Sequence, residues 1–274
     1  MSAPPAGAAS GGSVTFVLGA DHVGVVTVNR PEKRNAMDLS VFAGLHDAAR
    51  RATAAAADGT CRAVLVTGAG GAFSAGLDLA LFGEQIAGAG AFDDDRIAWL
   101  QQAFTGFEDL PVPTVAALNG TAIGAGCQLA LACHLRVAAP DVRIGFREAR
   151  WGLLPDLGGT YRLPRLVGLS RAIDLAVSAR DLDAATALAW GAVDAVLHGD
   201  DFDGQAHAYA VRLARGPTVA TGAVPGLMRR GLGTTRDVAL AAERGAQLAC
   251  LGSADFGEAV AAAAEGREPR FAGR

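Results

Sequence analysis

The chain has 274 residues, with 24 Lys and Arg against 28 Asp and Glu, a formal net charge of −4, 51% hydrophobic residues and 19% charged ones. Such hydrophobicity at low net charge excludes intrinsic disorder, and a chain of about this length buries roughly 70–75% of its unfolded surface. The acidic balance argues against nucleic acid as the main partner, because phosphate binding rests on clustered cations.

Residues 1–13 are rich in Ala, Gly, Ser and Pro and lack a cationic n-region or an apolar h-region, so they read as a disordered tail rather than a signal peptide. Residues 15–17 and 23–28 read as strands around an Asp21-His22 turn. Asp38 is placed as the N-cap of a helix that carries Leu39, Phe42 and Leu45 toward the core and continues to about Ala57. A β-branched run at 63–66 predicts a strand, and an irregular stretch at 73–79 and a Gly/Ala loop at 83–91 follow. Asp93, Asp94 and Asp95 open a helix reaching Glu108, favourable at its positive end.

Residues 112–135 carry no formal charge over 24 positions, long enough to span a membrane. Pro113, Asn119, Gly120, Gly124 and Gly126 instead punctuate them into a strand at 112–118, a glycine turn and a helix at 125–133. Strands at 135–138 and 142–146 come next, then helical patterns at 161–167 and 170–178, a helix at 184–189 and a strand at 193–196. From 203 to 266 the pattern is helical, with interruptions expected near Gly216-Pro217 and Val224-Pro225. The organisation expected is therefore an α/β body over 14–200 and a helical region over 201–274. Cys61, Cys127, Cys133 and Cys250 are scattered in apolar surroundings and read as free thiols of a reducing compartment.

The segment Val64-Leu65-Val66-Thr67-Gly68-Ala69-Gly70-Gly71 suggests a dinucleotide turn, but the third glycine of the fingerprint falls on Phe73 and no helix start follows. Two other loops carry more chemistry. Ala72-Phe73-Ser74-Ala75-Gly76-Leu77-Asp78-Leu79 and Asn119-Gly120-Thr121-Ala122-Ile123-Gly124-Ala125-Gly126-Cys127-Gln128 each follow a strand and expose backbone amides through small residues. The second opens a helix, whose N-terminal amides favour an anion. Two amides converging on one oxygen would make an oxyanion hole.

Together with Asn29-Arg30-Pro31-Glu32-Lys33-Arg34-Asn35-Ala36-Met37 and the block from Phe146 to Arg165, these loops resemble the crotonase (enoyl-CoA hydratase/isomerase) superfamily over about residues 14–271. The resemblance implies an α/β core spiralling through ββα units, a C-terminal helical trimerisation region, and an acyl-CoA thioester substrate. It implies homotrimers or hexamers with no cofactor beyond the substrate's own coenzyme A; the free thiols point to the cytoplasm, and the isolated histidines, glycine-broken apolar run and acidic charge to no metal, membrane or nucleic-acid partner. By position, the amides of Leu77 and Ala125 match the oxyanion pair. Lys33, Arg34, Asn35 and Ala36 match the stretch along coenzyme A, and Ser74, Ala75, Gly76 and Asp78 the loop beside it.

The acid/base set departs from the hydratase pattern. Of the two glutamates a hydratase uses to grip water, the first position is Gln128, which exchanges no proton at neutral pH, and the second is Glu148. Asp156 stands where certain isomerases of the superfamily keep an aspartate. One base suffices to move a proton between the α and γ carbons, so the expectation is an enoyl-CoA isomerase shuttling through Glu148. The alternatives are a hydratase in which Gln128 holds water and a non-catalytic acyl-CoA- or RNA-binding relative. Each residue also has a plainer reading: Glu148 as an ion pair with Arg147 or Arg150, Asp156 as a helix cap, Gln128 as a core amide. Near residues 261–264, where relatives carry an aromatic side chain, this chain has four alanines; Arg267 and Arg270 remain as phosphate partners.

Overall fold

The computed structural model describes residues 12–86 and 93–274. In chain order the first elements are β1 (Val14–Leu18), β2 (Val23–Val28), α1 (Leu39–Ala57), β3 (Ala63–Gly68), β4 (Ala72–Ser74), α2 (Leu79–Ile86), α3 (Asp94–Glu108), β5 (Thr114–Leu118), β6 (Thr121–Ile123) and α4 (Ala125–Ala132). They are followed by β7 (Leu135–Ala138), β8 (Ile144–Gly145), a 3-10 turn (Glu148–Trp151), α5 (Gly159–Val167), α6 (Leu169–Ser178), β9 (Asp181–Leu182), α7 (Ala184–Trp190) and β10 (Ala195–Val196). The chain closes on α8 (Phe202–Ala214), α9 (Thr218–Gly231), α10 (Arg236–Leu251) and α11 (Ala254–Glu265).

The strands form two sheets, ordered β1-β2-β3-β5-β7-β10 and β4-β6-β8-β9. Three times a strand of the large sheet runs on within a few residues into a strand of the small one: β3 into β4, β5 into β6, β7 into β8. Within each sheet these successive strands pair in parallel, which makes the ββα spiral. Among the described residues only the β1–β2 hairpin and the β8–β9 pair are antiparallel.

Side chains alternate across the large sheet with the two-residue period of a strand. Val26, Val28, Val64, Val66 and Ala116 enter the main core with Phe42, Leu45, Phe104 and Phe107 of α1 and α3. Val23, Ala63, Leu65, Val115, Ala117 and Val137 face α8, which meets them with Ala206, Ala210 and Ala214. That four-residue alanine spacing makes one smooth helix face. α1 starts where expected, its Asp38 side chain accepting from the Val41 amide at 3.1 Å. Asp93 caps α3 in the same way, at 2.8 Å from the Arg96 amide.

Several local expectations are corrected. Residues 79–86 are helical, so the loop expected at 83–91 is corrected over 83–86; residues 87–91 of it lie outside those described. A single helical glycine costs only about 1 kcal/mol, and Asp78 accepts from the Ala80 amide at 3.1 Å where α2 begins. β4, β6, β9 and the 3-10 turn were not expected, because elements of two to four residues carry no readable period. The break near Gly216-Pro217 occurs, but α9 runs through Pro225. Losing one i→i−4 bond there is offset by packing, since Val224 and Leu227 share an apolar groove with Leu240, Ala246 and Cys250 of α10. All four cysteines are free. Among the described residues no helix is long and apolar enough to cross a membrane.

Candidate active site

Because β4 pairs with β6, the loops leaving these strands lie side by side. Gly76 takes φ +96°, and a Cβ on it would stand 2.9 Å from the Ile123 carbonyl oxygen and 3.6 Å from the Ala125 amide, so glycine is required for the approach. Met37 donates to the Gly76 carbonyl at 2.7 Å and accepts from the Asp78 amide at 2.9 Å. These two bonds use both polar groups of Met37 and leave the N–H of the bridged residue, Leu77, pointing away from Met37. Ala125 is the first residue of α4, so its amide has no intrahelical acceptor and lies at the positive end of the helix dipole. A Cβ on Gly126 would come within 2.5 Å of the Ser74 carbonyl oxygen, which shows how tightly α4 sits against β4.

The 30–36 turn braces these loops. Arg34 and Asn35 have φ of 49° and 57°, in the left-handed region. Asn35 is fully buried: its amide nitrogen donates to the Ala69 and Ala72 carbonyls at 2.9 and 2.7 Å, and its oxygen accepts from the Arg30 amide at 2.9 Å. The Ser74 hydroxyl donates to the Asn35 carbonyl at 2.8 Å and accepts from the Gly76 amide at 3.2 Å. Arg30 meets Asp38 at 3.2 Å, Asp78 at 3.1 Å and the Ala36 carbonyl at 2.6 Å.

The side chains of Asn35, Ser74 and Asp78 are therefore engaged within the protein and brace the two loops. Lys33 and Arg34 are exposed, and Ala36 and Ala75 half-buried. The role of Arg30 is not legible in the sequence, because only the fold brings Asp38 and Asp78 to one guanidinium.

Glu148 opens the 3-10 turn after β8, and Gln128 lies one turn into α4. Gln128 is 1% exposed; its Nε2 donates to Glu148 Oε1 at 2.8 Å, and its Oε1 accepts from the Gly159 amide at 3.0 Å. Glu148 Oε2 is buried and has no hydrogen-bond partner among the described residues. A Cβ on Gly124 would lie 3.5 Å from Glu148 Oε1, so the carboxylate stands beside the turn that presents the Ala125 amide. Burial pushes the Glu148 carboxyl above its ordinary value, the charge of Asp156 adds to this, and the Gln128 hydrogen bond opposes it.

The ion pairs considered for Glu148 do not form. Arg147 pairs with Asp181, and Arg150 donates to the Ala179 carbonyl. Asp156 is not the cap of α5 either: the cap is Gly158, at φ 92°, without a side-chain bond. The Asp156 carboxyl is half-buried and raised by that burial, while its backbone carbonyl accepts from Gln101 at 2.6 Å.

Other candidates fall away on contact geometry. His134 Nδ1 accepts from the Thr114 amide at 3.0 Å, which puts the ring proton on Nε2, 3.0 Å from the Glu108 carbonyl oxygen. Burial holds this ring neutral, its pKa lowered to about 4, and pushes the Cys133 thiol up to about 12. Arg267 is paired with Glu258 and Glu265.

Residues 19–274 match the family model described as enoyl-CoA hydratase/isomerase. The chain belongs to that family. It is 36% identical over 255 residues to the Rhodobacter capsulatus protein named "Probable enoyl-CoA hydratase", covering 91% of this chain and 94% of that one. The 1,2-epoxyphenylacetyl-CoA isomerase of Escherichia coli is 33% identical over 264 residues, covering 94% and 99%. The crystal structure of an enoyl-CoA hydratase from Bacillus anthracis superposes with a TM-score of 0.86 at 27% identity, over 96% of this chain and 100% of that one. This enoyl-CoA hydratase/isomerase family member is thus an α/β enzyme of the crotonase fold, and both hydratases and an isomerase stand among its relatives.

Proposed function

We propose that this enzyme is an enoyl-CoA isomerase that enolises an acyl-CoA thioester and moves its double bond. The observation that carries the reading is Glu148: a buried carboxylate beside the Ala125 turn, with Oε2 unpartnered and an amide, not a second carboxylate, as its neighbour on α4. In this account the thioester oxygen accepts from the Leu77 and Ala125 amides. A thioester α-proton is far too weakly acidic for an ordinary carboxylate to remove unaided. Each donor to the developing oxyanion supplies roughly 3–4 kcal/mol, which closes much of that gap. Glu148 takes the α-proton of a 3-enoyl-CoA, the electron pair moves into the carbonyl, and a dienolate forms. The carboxylic acid so made returns the proton to the γ carbon as the enolate collapses, leaving a 2-enoyl-CoA and the starting carboxylate. No water is consumed. A carboxyl raised above its ordinary value is the stronger base for the first half, and the carboxylic acid it becomes is still far more acidic than the γ carbon it reprotonates. Asp156 is assigned a supporting role, its charge helping to keep the Glu148 carboxyl raised.

Coenzyme A is assigned to the exposed Lys33 and Arg34 and to the backbone of residues 36 and 75–76, as the family resemblance implies. The C-terminal helices are assigned to trimers, or hexamers made of them. The second reading is a hydratase, favoured by the names of relatives such as the Rhodobacter capsulatus protein. Incubation with 3-hexenoyl-CoA and, separately, crotonyl-CoA in H₂¹⁸O separates them. The isomerase reading expects a shifted double bond without label; an ¹⁸O-labelled 3-hydroxyacyl-CoA as the main product supports hydration instead.

A further inference from the structure

We infer that Gln128 is a positioning residue for Glu148, locked by the Gly159 amide so that Glu148 Oε2 alone accepts and returns the proton. The inference rests on the isomerase reading for its consequence, though not for its geometry. An amide side chain has one acceptor end and one donor end. The Gly159 N–H, 3.0 Å away, fixes the acceptor end as Oε1. The donor end must then face Glu148 Oε1, at 2.8 Å. Flipping the amide would set N–H against N–H on one side and oxygen against oxygen on the other.

The lock is tightly enclosed. A Cβ on Gly159 would lie 3.0 Å from Gln128 Oε1 and 2.8 Å from both the Phe146 ring and Pro155. Only glycine lets this amide come close enough, and Gln128 itself is 1% exposed. Its orientation is set by protein on both ends.

The consequence falls on the two oxygens of Glu148. Oε1 accepts a hydrogen bond and so favours its unprotonated form; Oε2, buried and unpartnered among the described residues, is left to carry the proton. The charged and titratable groups around it do not compete. Asp156, ahead of α5, adds negative charge, Cys127 on α4 is a buried thiol held neutral, and Arg147 is turned to Asp181.

Infrared difference titration of the unliganded enzyme tests this, with the Glu148 carboxylic-acid stretch identified by its loss in Glu148→Gln. In Gln128→Leu the donor is gone, and the stretch is expected to titrate at a pH about 1 higher. The kcat for isomerising 3-hexenoyl-CoA should fall about tenfold or more, with KM within about threefold. Gln128→Glu keeps the shape and the Gly159 bond, so it serves if the leucine variant fails to fold. It sets a second carboxylate against Oε1, and the titration should split into two steps spread over a wider range. A Glu148 stretch that titrates as in wild type in every folded variant overturns the lock. Because the titration needs no turnover, a wild-type enzyme inactive on the thioester while these shifts appear would sink the isomerase reading and leave the lock standing.

Discussion

Asn35 shows why a residue quoted in a motif need not touch the ligand. Its side chain makes three hydrogen bonds to backbone atoms of two loops and is fully buried, so Asn35→Ala should lower stability by about 2–4 kcal/mol, measured by urea unfolding. The residue type was legible in the sequence; which way it faces was decided by the crossing of the 30–36 and 69–72 segments. Glu148 and Gln128 were readable as an inventory of one carboxylate and one amide. Their mutual hydrogen bond, and the turning away of Arg147 and Arg150, were not, because those contacts join positions 20 or more residues apart.

Two pH effects belong at this scale. Glu148 acts as a base only when ionised and is raised above its ordinary 4.5, so the acid limb of kcat/KM should have its midpoint above 4.5, rising with pH. His134 works on stability: its ring titrates near 4 when folded and near 6.5 when unfolded. The unfolded chain binds the extra proton in that interval, so stability is full above 6.5 and falls as pH drops toward 4. At pH 5 the loss is on the order of 2 kcal/mol relative to pH 7. His134→Asn, whose oxygen replaces the Nδ1 acceptor, should flatten that part of a urea-unfolding series against pH.

Among the elements, those with long periods were legible. The caps Asp38 and Asp93, the α1 stripe and the β2 and β3 runs repeat one chemical pattern over several turns or residues. The short strands β4 and β6 carry no such pattern, yet their pairing is what sets the loops that carry Leu77 and Ala125 side by side. The sequence pointed to the two loops through their glycines, and only the sheet register supplied their alignment. Gly126 tests that alignment. A methyl there meets the Ser74 carbonyl oxygen at 2.5 Å, so Gly126→Ala must push α4 from β4 and spread the two amides. Steady-state kinetics should show kcat reduced by about 10-fold or more, in line with a misplaced oxyanion donor.

For the molecule as a whole, the division into an α/β body and a helical C-terminal region was readable from composition and spacing alone. What those helices cover was not, because α10 buries none of its residues in the isolated chain. Met228 and Leu248, on α9 and α10, are 70% and 69% exposed. Apolar faces of that kind on a water-exposed helix mark association surfaces, in line with the trimers assigned above. Light scattering should give three or six times 27.7 kDa, and Leu248→Glu should lower the mass toward the single chain.

Enolisation at one carboxylate, under two main-chain amides, joins these scales. It is tested most directly by the rate at which Glu148→Gln and wild-type enzyme convert 3-hexenoyl-CoA to its 2-enoyl isomer, followed by mass spectrometry and absorbance. The account predicts a loss of at least ~100-fold in kcat with KM little changed. Conversion by the variant at the wild-type rate would contradict it.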